Sequence, residues 1–478
     1  MSWLETIVGW GNDILWTYVL IALLLILGVY FSIRTKFVQF TMLKDMVKLL
    51  GEGATVSKDK KKRGVSSFQA FSISTASRVG TGNLAGVALA ISLGGPGAVF
   101  WMWIIALIGA ATAFVESTLA QIYKVKDEFG FRGGPAYYME KGLNKRWMGI
   151  LFAVLITFTF GLVFNSVQAN TISLALENSF GVNRVVFGIA LSTIVAIIIF
   201  GGIKRIARVA EAIVPVMAVL YLLLALYVLV VNITELPSVV ALIVKSAFGL
   251  EEAIGGGLGA ALMNGIKRGL FSNEAGMGSA PNAAATANVS HPVKQGLIQT
   301  LSVFTDTILI CTATAMMIIL SGQYTGSEDG IQLTQQALTY HVGDWAGFMV
   351  AVFIFLFAFS SVVGNYYYGE TNIEFINPEK RSWIFIYRLA VVGMVMFGSV
   401  AQLAIVWSLA DLFMATMALV NLIAIAMLGK IAFNALQDYV SQKRTGVNPI
   451  FNPRTIGLKN TEIWDEEREY HESIKREQ

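Results

Sequence analysis

The chain is poor in charge, in cysteine and in histidine. Of its 478 residues only 14% are charged against 55% hydrophobic, and the mean hydropathy is +0.64. A water-soluble domain of this size would lack the polar residues to cover its surface, so the composition points to a polytopic membrane protein. A single cysteine, Cys311, excludes an internal disulfide. The three histidines, His291, His341 and His471, have no metal-ligand spacing and fall in expected loops or the tail, where surface positions are expected. There is no G-x-x-x-x-G-K-[ST] loop for ATP, no H-E-x-x-H and no nucleophile paired with a base, so the sequence supports neither ATP-driven transport nor an intramembrane hydrolase, and no enzyme is expected. The N-terminus, MSWLETIVGWGND, has no basic region and carries Glu5 and Asp13. It does not look like a cleavable signal peptide, and the first apolar span is expected to stay as an anchor.

What the chain has is long apolar runs. Eleven match a hydrocarbon core of about 30 Å: 14–33, 67–92, 98–123, 147–176, 183–201, 210–232, 256–288, 295–320, 345–370, 383–400 and 406–429. The expected class is therefore an all-α polytopic membrane protein. Basic residues favour cytoplasmic loops. They crowd 34–63, which ends in KDKKKR, and the 124–146 loop with Lys124, Lys126, Arg132, Lys141, Lys145 and Arg146. Lys204, Arg205 and Arg208 follow the fifth span, and Lys380 and Arg381 the ninth. The alternate loops contrast: 177–182 and 321–344 have no basic residue and 233–255 has only Lys245. The alternation predicts an N-terminus outside and a cytoplasmic C-terminus, with a charged tail at 431–478 to which the sequence gives no function. Basic clusters placed this way serve topology and contact with anionic lipid, and no nucleic-acid partner is expected.

Two spans contain material unsuited to a membrane helix. Residues 77–83 read SRVGTGN, and residues 271–281 read FSNEAGMGSAP. In each, a serine (Ser77, Ser272) is followed by Gly-x-Gly (Gly80 and Gly82, Gly276 and Gly278). Glycine eases departure from helical geometry, and serine can bond the backbone groups that are freed. Small residues also allow close helix packing, which either motif alone would suggest. Polar and charged neighbours, Arg78, Thr81, Asn83, Asn273 and Glu274, point instead to a functional site. The two motifs also open two five-span halves, 67–232 and 256–430, joined by a connection at 233–255 and preceded by an extra helix and basic loop at 1–66. An odd number of spans per half makes the halves opposite in direction, the pattern of inverted-repeat secondary transporters. Freed N–H groups can hold a carboxylate and freed carbonyls a cation.

The stretches STASRVGTGNLAGVALAISLGGPGAVFWMW, GLFSNEAGMGSAPNAAATA and FAFSSVVGNYYYGE resemble the alanine or glycine:cation symporter family, from the second span onward. The resemblance implies the inverted-repeat fold of the bacterial leucine transporter with one extra helix in front. It also implies cation-coupled uptake of small neutral amino acids in a prokaryotic plasma membrane, with sodium (in some members a proton) as coupling ion and no cofactor. VGTGN resembles the unwound segment of the leucine transporter itself. That likeness implies a substrate carboxylate at the backbone of Thr81 and Gly82, beside Asn83, and sodium at the carbonyls of Ala76 and Val79. It implies Phe271 as a wall of the site, Ser272 and Asn273 in its unwound part and Met277 beside it. Phe164 and Gln168, one helical turn apart and so on one face, would close the site from the side. Ser360 and Ser361 would be the hydroxyl pair at the sodium, with Ser361 also reaching substrate.

One departure bears on substrate. The family's alanine-transporting pattern has tryptophan before YYYGE, where this chain has Asn365. A short amide in place of an indole enlarges the pocket and adds a donor and an acceptor. The expected substrate is glutamine, with alanine, glycine or asparagine as alternatives; the other role open to Asn365 is that of a helix–helix hydrogen-bond partner. Arg78 is too costly to face lipid and is expected to pair with Glu116 or Glu274. Glu274 is alternatively a proton site. Asp306 and Asp411, also within spans, rank below the serines as ion sensors because no motif points to them. Tyr366 to Tyr368 read as packing or an interface belt. The rival to symport is a passive channel or facilitator, whose mark would be a ring of pore-lining polar residues rather than polarity at two midplane breaks.

Overall fold

Ser66 and Gln69 open the first interrupted helix. The Ser66 hydroxyl accepts the Gln69 N–H and the Gln69 side chain accepts the Ser66 N–H, both at 3.1 Å, a reciprocal cap. The leading arm, Ser67–Arg78, then stops: Val79 has left helical geometry at φ −78°, ψ 88°, and the trailing arm runs Gly82–Gly94 with a π-helical first turn. In the second interrupted helix the leading arm Leu258–Asn273 ends at Glu274, which is left-handed at φ 57°. Gly276 and Gly278 follow at φ 92° and 81°, a region glycine enters without steric cost, and Ala280–Ala285 resumes the helix. Pro281 sits in its first turn, where a missing N–H costs nothing.

The computed structural model describes residues 3–55, 65–127, 130–201, 203–250, 257–378, 381–459 and 461–465. The KDKKKR run, Lys380, His471 and the tail beyond residue 465 lie outside the described residues, as do the side chains of Glu5, Lys204 and Arg381. The regular secondary structure of the described residues is helical apart from a small hairpin, Val125–Asp127 with Gly130–Arg132, and an isolated bridge. Eight described helices are long and apolar enough to cross a membrane: Thr6–Arg34, Gly97–Ile122, Arg146–Phe180, Arg208–Val231, Pro292–Ser321, Ala346–Ile376, Ser382–Val400 and Leu403–Arg444. Of the other expected spans, 183–201 is the shorter helix Arg184–Ile199, opened by Asn183 accepting the Val185 N–H at 2.9 Å, and the remaining two are the interrupted helices. A further apolar helix, Leu236–Ala247, lies in the stretch read as a connection; the Trp101 indole donates to its Ala247 carbonyl at 3.2 Å.

The two interrupted helices touch. A side-chain carbon placed on Gly82 would lie 3.1 Å from both the Phe271 ring and the Ser272 Cα. Their far ends are also tied: Val65 N donates to Thr286 O at 3.3 Å and Asn288 N to Val65 O at 3.1 Å. The Ala287 carbonyl between them takes donors from Gln121, in the last turn of Gly97–Ile122, at 3.0 Å and from Lys124, just past that helix, at 3.2 Å. The described part of the tail docks on this end of the molecule. Phe451 N donates to Ser290 O at 2.9 Å, and Trp464, 1% exposed, donates its indole N–H to Gln121 O at 2.9 Å.

His291 corrects the expectation of a surface histidine. It is fully buried, its Nδ1 capping the helix that starts at Pro292 and its Nε2 3.1 Å from Asp438. His341 is half-buried, with Nε2 2.8 Å from the Met317 carbonyl. Tyr366, Tyr367 and Tyr368 are buried packing residues, Tyr366 stacked on Tyr387 at 5.4 Å between centroids.

Candidate substrate and cation site

The first break gathers oxygen atoms around one hydroxyl. Ser361 Oγ, on the Ala346–Ile376 helix, lies 2.9 Å from the Ala76 carbonyl, 3.4 Å from that of Val79 and 3.0 Å from that of Phe357. A hydroxyl has one hydrogen, so it can serve one of these acceptors well while the others face it with unshared pairs. Oxygens converging in this way suit a hard cation. Ser360, expected to act with Ser361, is directed elsewhere. Its hydroxyl bonds the Phe357 carbonyl at 2.8 Å and contacts Met217 Sδ at 3.7 Å, on the Ile203–Val231 helix. One residue along a helix is a turn of about 100°, and that turn separates the pair. Phe357, whose carbonyl joins the cluster, was not anticipated, since backbone atoms leave no side-chain signature.

Next to the cluster, the freed N–H groups of the break are already held by side-chain amides. Thr81 N donates to Gln168 Oε1 at 3.0 Å, and Gly80 N to Asn83 Oδ1 at 2.9 Å. Gly80 must be glycine here, because a side-chain carbon would overlap the Ser361 hydroxyl and crowd the Gln168 oxygen. Asn83 Nδ2 reaches Asp306 Oδ1 at 2.7 Å, and the Ser272 hydroxyl reaches Asp306 Oδ2 at 2.7 Å. Asp306 thus ties the first break to the second, a place no motif announced. Cys311 lies on the same two residues, with Sγ 3.3 Å from Asn83 Nδ2 and 3.1 Å from Ser272 Oγ.

Aromatic rings cover the site. Phe164 meets Phe271 at 4.7 Å between centroids, and Phe271 meets Trp407 at 4.8 Å. The expected wall residues are therefore in contact, and Trp407, from the Leu403–Arg444 helix, is an addition. Asn273 Oδ1 accepts the Ala275 N–H at 2.9 Å, and Met277 is wholly buried in the second break with its N–H on the Glu274 carbonyl at 3.1 Å. Asn365 accepts the Ser77 hydroxyl at 2.7 Å, so it does bridge two helices, but its Nδ2 is buried without a partner.

Three buried carboxylates surround the second break, and none pairs directly with Arg78. Glu116 accepts the N–H groups of Gly276 and Gly278, each at 3.1 Å, and the Asn421 amide at 2.9 Å. It neutralises the donors that the two left-handed glycines expose. Glu274 accepts hydroxyls from Ser77 at 2.7 Å and Ser279 at 2.5 Å. Arg78 corrects the expected ion pair: its guanidinium bonds the Gln299 carbonyl at 3.4 Å and side chain at 3.3 Å, while Nε and Nη2 are unpartnered. Asp411, considered as an ion sensor, is engaged by Arg268 at 2.5 Å and Lys267 at 3.9 Å. Arg268 in turn lies over the Trp407 ring at 4.6 Å, so this ion pair braces the aromatic cover.

Residues 1–453 match the family described as the sodium:alanine symporter family. The chain belongs to that family. The symporter is 62% identical over 96% of its length, and 96% of the other's, to the "Probable sodium/glutamine symporter GlnT" of Bacillus subtilis (strain 168). It is 56% identical to "Amino-acid carrier protein AlsT" of the same organism, over 98% of this chain and 99% of that one. Among solved structures it resembles MhsT in complex with L-phenylalanine, with a TM-score of 0.52 and 15% identity over 79% of this chain and 96% of the other. That likeness is one of fold, the inverted-repeat architecture of the leucine transporter. The symporter is thus a multi-pass membrane transporter that couples amino-acid movement to a cation, and not an enzyme.

Proposed function

We propose that this symporter imports glutamine together with sodium by alternating access. The observation that carries the reading is the convergence of the Ala76, Val79 and Phe357 carbonyls on the Ser361 hydroxyl, directly beside break amides held by a replaceable side chain. Sodium sits among these oxygens, with Ala76, Val79 and Ser361 as ligands. Ser360, directed at Met217, is a ligand only after its side chain turns.

Gln168 Oε1 stands where one oxygen of the substrate carboxylate goes. The incoming amino acid displaces it from Thr81 N, and the carboxylate takes the N–H groups at Thr81 and Gly82, at the positive end of the Gly82–Gly94 arm. The opposite end of the zwitterion meets the C-terminal carbonyl end of Leu258–Asn273, around Phe271, Ser272 and Asn273, whose partial negative charge suits an ammonium group. Asn83, through Asp306, keeps the two breaks in register. Phe164, Phe271 and Met277 exclude water from the bound substrate. The unpartnered Asn365 Nδ2 donates to the side-chain carbonyl of glutamine. The name of the 62% identical relative supports glutamine over alanine. A four-helix bundle carrying both breaks, drawn from the repeats 67–232 and 256–430, then rocks against its scaffold and opens the site inward in a bacterial plasma membrane, with the N-terminus outside and the C-terminus in the cytoplasm.

A competition assay tests this. Labelled glutamine is bound to purified protein with and without sodium and challenged with alanine, glycine, serine and asparagine. Sodium-dependent binding displaced best by unlabelled glutamine, then asparagine, is the expected result. Binding of alanine with no binding of glutamine would remove the substrate assignment, and indifference to sodium would remove the cation site.

A further inference from the structure

The hydrogen-bond partners of the three buried carboxylates differ in kind. Those of Glu116 are all N–H groups, which only donate, so this carboxyl is held as an acceptor. Asp306 has one amide donor, from Asn83, and two hydroxyls, from Ser272 and Thr307, the last at 2.8 Å. Both oxygens of Glu274 meet hydroxyls alone, those of Ser77 and Ser279. A hydroxyl donates or accepts by rotating, so Glu274 can gain or lose a proton without leaving an N–H group stranded.

A shortage of hydrogens falls at the same place. Ser77 Oγ lies 2.7 Å from Glu274 Oε1 and 2.7 Å from Asn365 Oδ1, and its single hydrogen cannot bridge both oxygens. Asn365 Nδ2 meanwhile has no partner. Two arrangements resolve the conflict. With a proton on Glu274, its O–H donates to Ser77 Oγ, Ser77 donates to Asn365 Oδ1, and Nδ2 is left to face substrate. With Glu274 ionised, Ser77 donates to Glu274, the Asn365 amide turns so that its NH2 donates to Ser77, and its oxygen is left to face substrate.

We infer that Glu274 is a proton-binding site, and that its occupancy selects which end of the Asn365 amide is offered to the transported amino acid. The proton comes from hydronium on whichever side the site opens: an O–H bond to Glu274 Oε1 forms as one in the hydronium breaks, leaving water, and the reverse transfer to water accompanies ionisation of the carboxyl. The chain Glu274–Ser77–Asn365 joins the second break, the first break and the Ala346–Ile376 helix. Protonation is thereby read at these three of the elements that line the site. Other charged or titratable groups facing Glu274 are Arg78 on the leading arm, Asp306 on the Pro292–Ser321 helix and Tyr368 on the Ala346–Ile376 helix, while Glu116 reaches it through the shared Arg78. The effect on substrate choice rests on the glutamine reading above; proton binding itself does not.

Two readouts on full-length protein test the inference. Infrared difference spectra between about pH 5 and pH 9 should show the carbonyl band of a protonated carboxylic acid that titrates, and Glu274→Gln should abolish it. In parallel, glutamine should bind more tightly in the protonated state, so that Kd rises up to about tenfold per pH unit above the transition, as linkage to one proton requires. Ser77→Ala should keep the titrating band but lose the pH dependence of Kd, because the message to Asn365 is cut. A band that persists in Glu274→Gln, a flat wild-type spectrum, or an unchanged Kd profile in Ser77→Ala would overturn the inference. If Glu274→Gln fails to fold, the wild-type band and the Ser77→Ala profile still decide. Should glutamine not bind at all, the band measured with alanine bound tests the proton site while the substrate assignment fails separately.

Discussion

At the scale of single residues, Asn365 carries the substrate assignment. An indole at this position would fill the space of the substrate side chain and remove the Nδ2 donor. Asn365→Trp is expected to weaken glutamine binding at least about tenfold, ~1.4 kcal/mol, while alanine still binds with sodium; a competition assay reads both. Alanine and glutamine weakened equally would mean that Asn365 only braces Ser77. His291 offers a pH test away from the site. Burial pushes its pKa down, opposed by the Asp438 contact. The unfolded chain therefore binds a proton, at about pH 6.5, that the folded protein rejects. Stability is thus expected to fall as pH drops through about 6.5. His291→Asn keeps an acceptor for the Val293 N–H and removes the titration. The thermal midpoint of the variant should change less between pH 7.5 and pH 5.5 than that of wild type, and an equal change would contradict the buried neutral imidazole.

At the scale of elements, the second break depends on a carboxylate from another helix. Glu116→Gln leaves one oxygen for the N–H groups of Gly276 and Gly278 and turns an NH2 group toward the other. An unsatisfied buried donor costs about 1–3 kcal/mol. The variant is expected to lose thermal stability and sodium-stimulated binding together, and a variant that matched wild type in both would show that the break supports itself. The sequence made the breaks legible because Gly-x-Gly beside serine in an apolar run is a local pattern. It could not show what satisfies them. Glu116 meets Gly276 across 160 residues, and Gln299 meets Arg78 across 221, so no spacing links them. Trp407 was hidden for the same reason: an aromatic in a long apolar helix looks alike whether it faces lipid or substrate. Arg78 was expected to take a carboxylate, yet all three carboxylates nearby are satisfied by neutral donors. Ser360 and Ser361 were indistinguishable as a pair, since only helix rotation against the first break tells them apart.

At the scale of the whole molecule, transport requires that the buried site open to either side. The chain supplies its own reporter, because Cys311 is its one cysteine and lies against Asn83 and Ser272, 2% exposed. A small hydrophilic thiol reagent should modify it only while the site is open, and sodium with glutamine should change that rate. A rate blind to both ligands would mean that Cys311 is reached without passing the breaks. The tied ends Val65 and Ala287 have to separate for one of these openings, and Trp464 on Gln121 is positioned to follow them. The most direct test of the account is uptake of labelled glutamine into liposomes holding the purified symporter, under an imposed inward sodium gradient and a membrane potential. One charge moving down 100 mV releases about 2.3 kcal/mol, enough for roughly 50-fold accumulation before the sodium gradient is added. Glutamine should accumulate above its outside concentration and leak back when the gradient is collapsed. Uptake that only equilibrates, at a rate indifferent to sodium, would contradict symport and identify a passive facilitator.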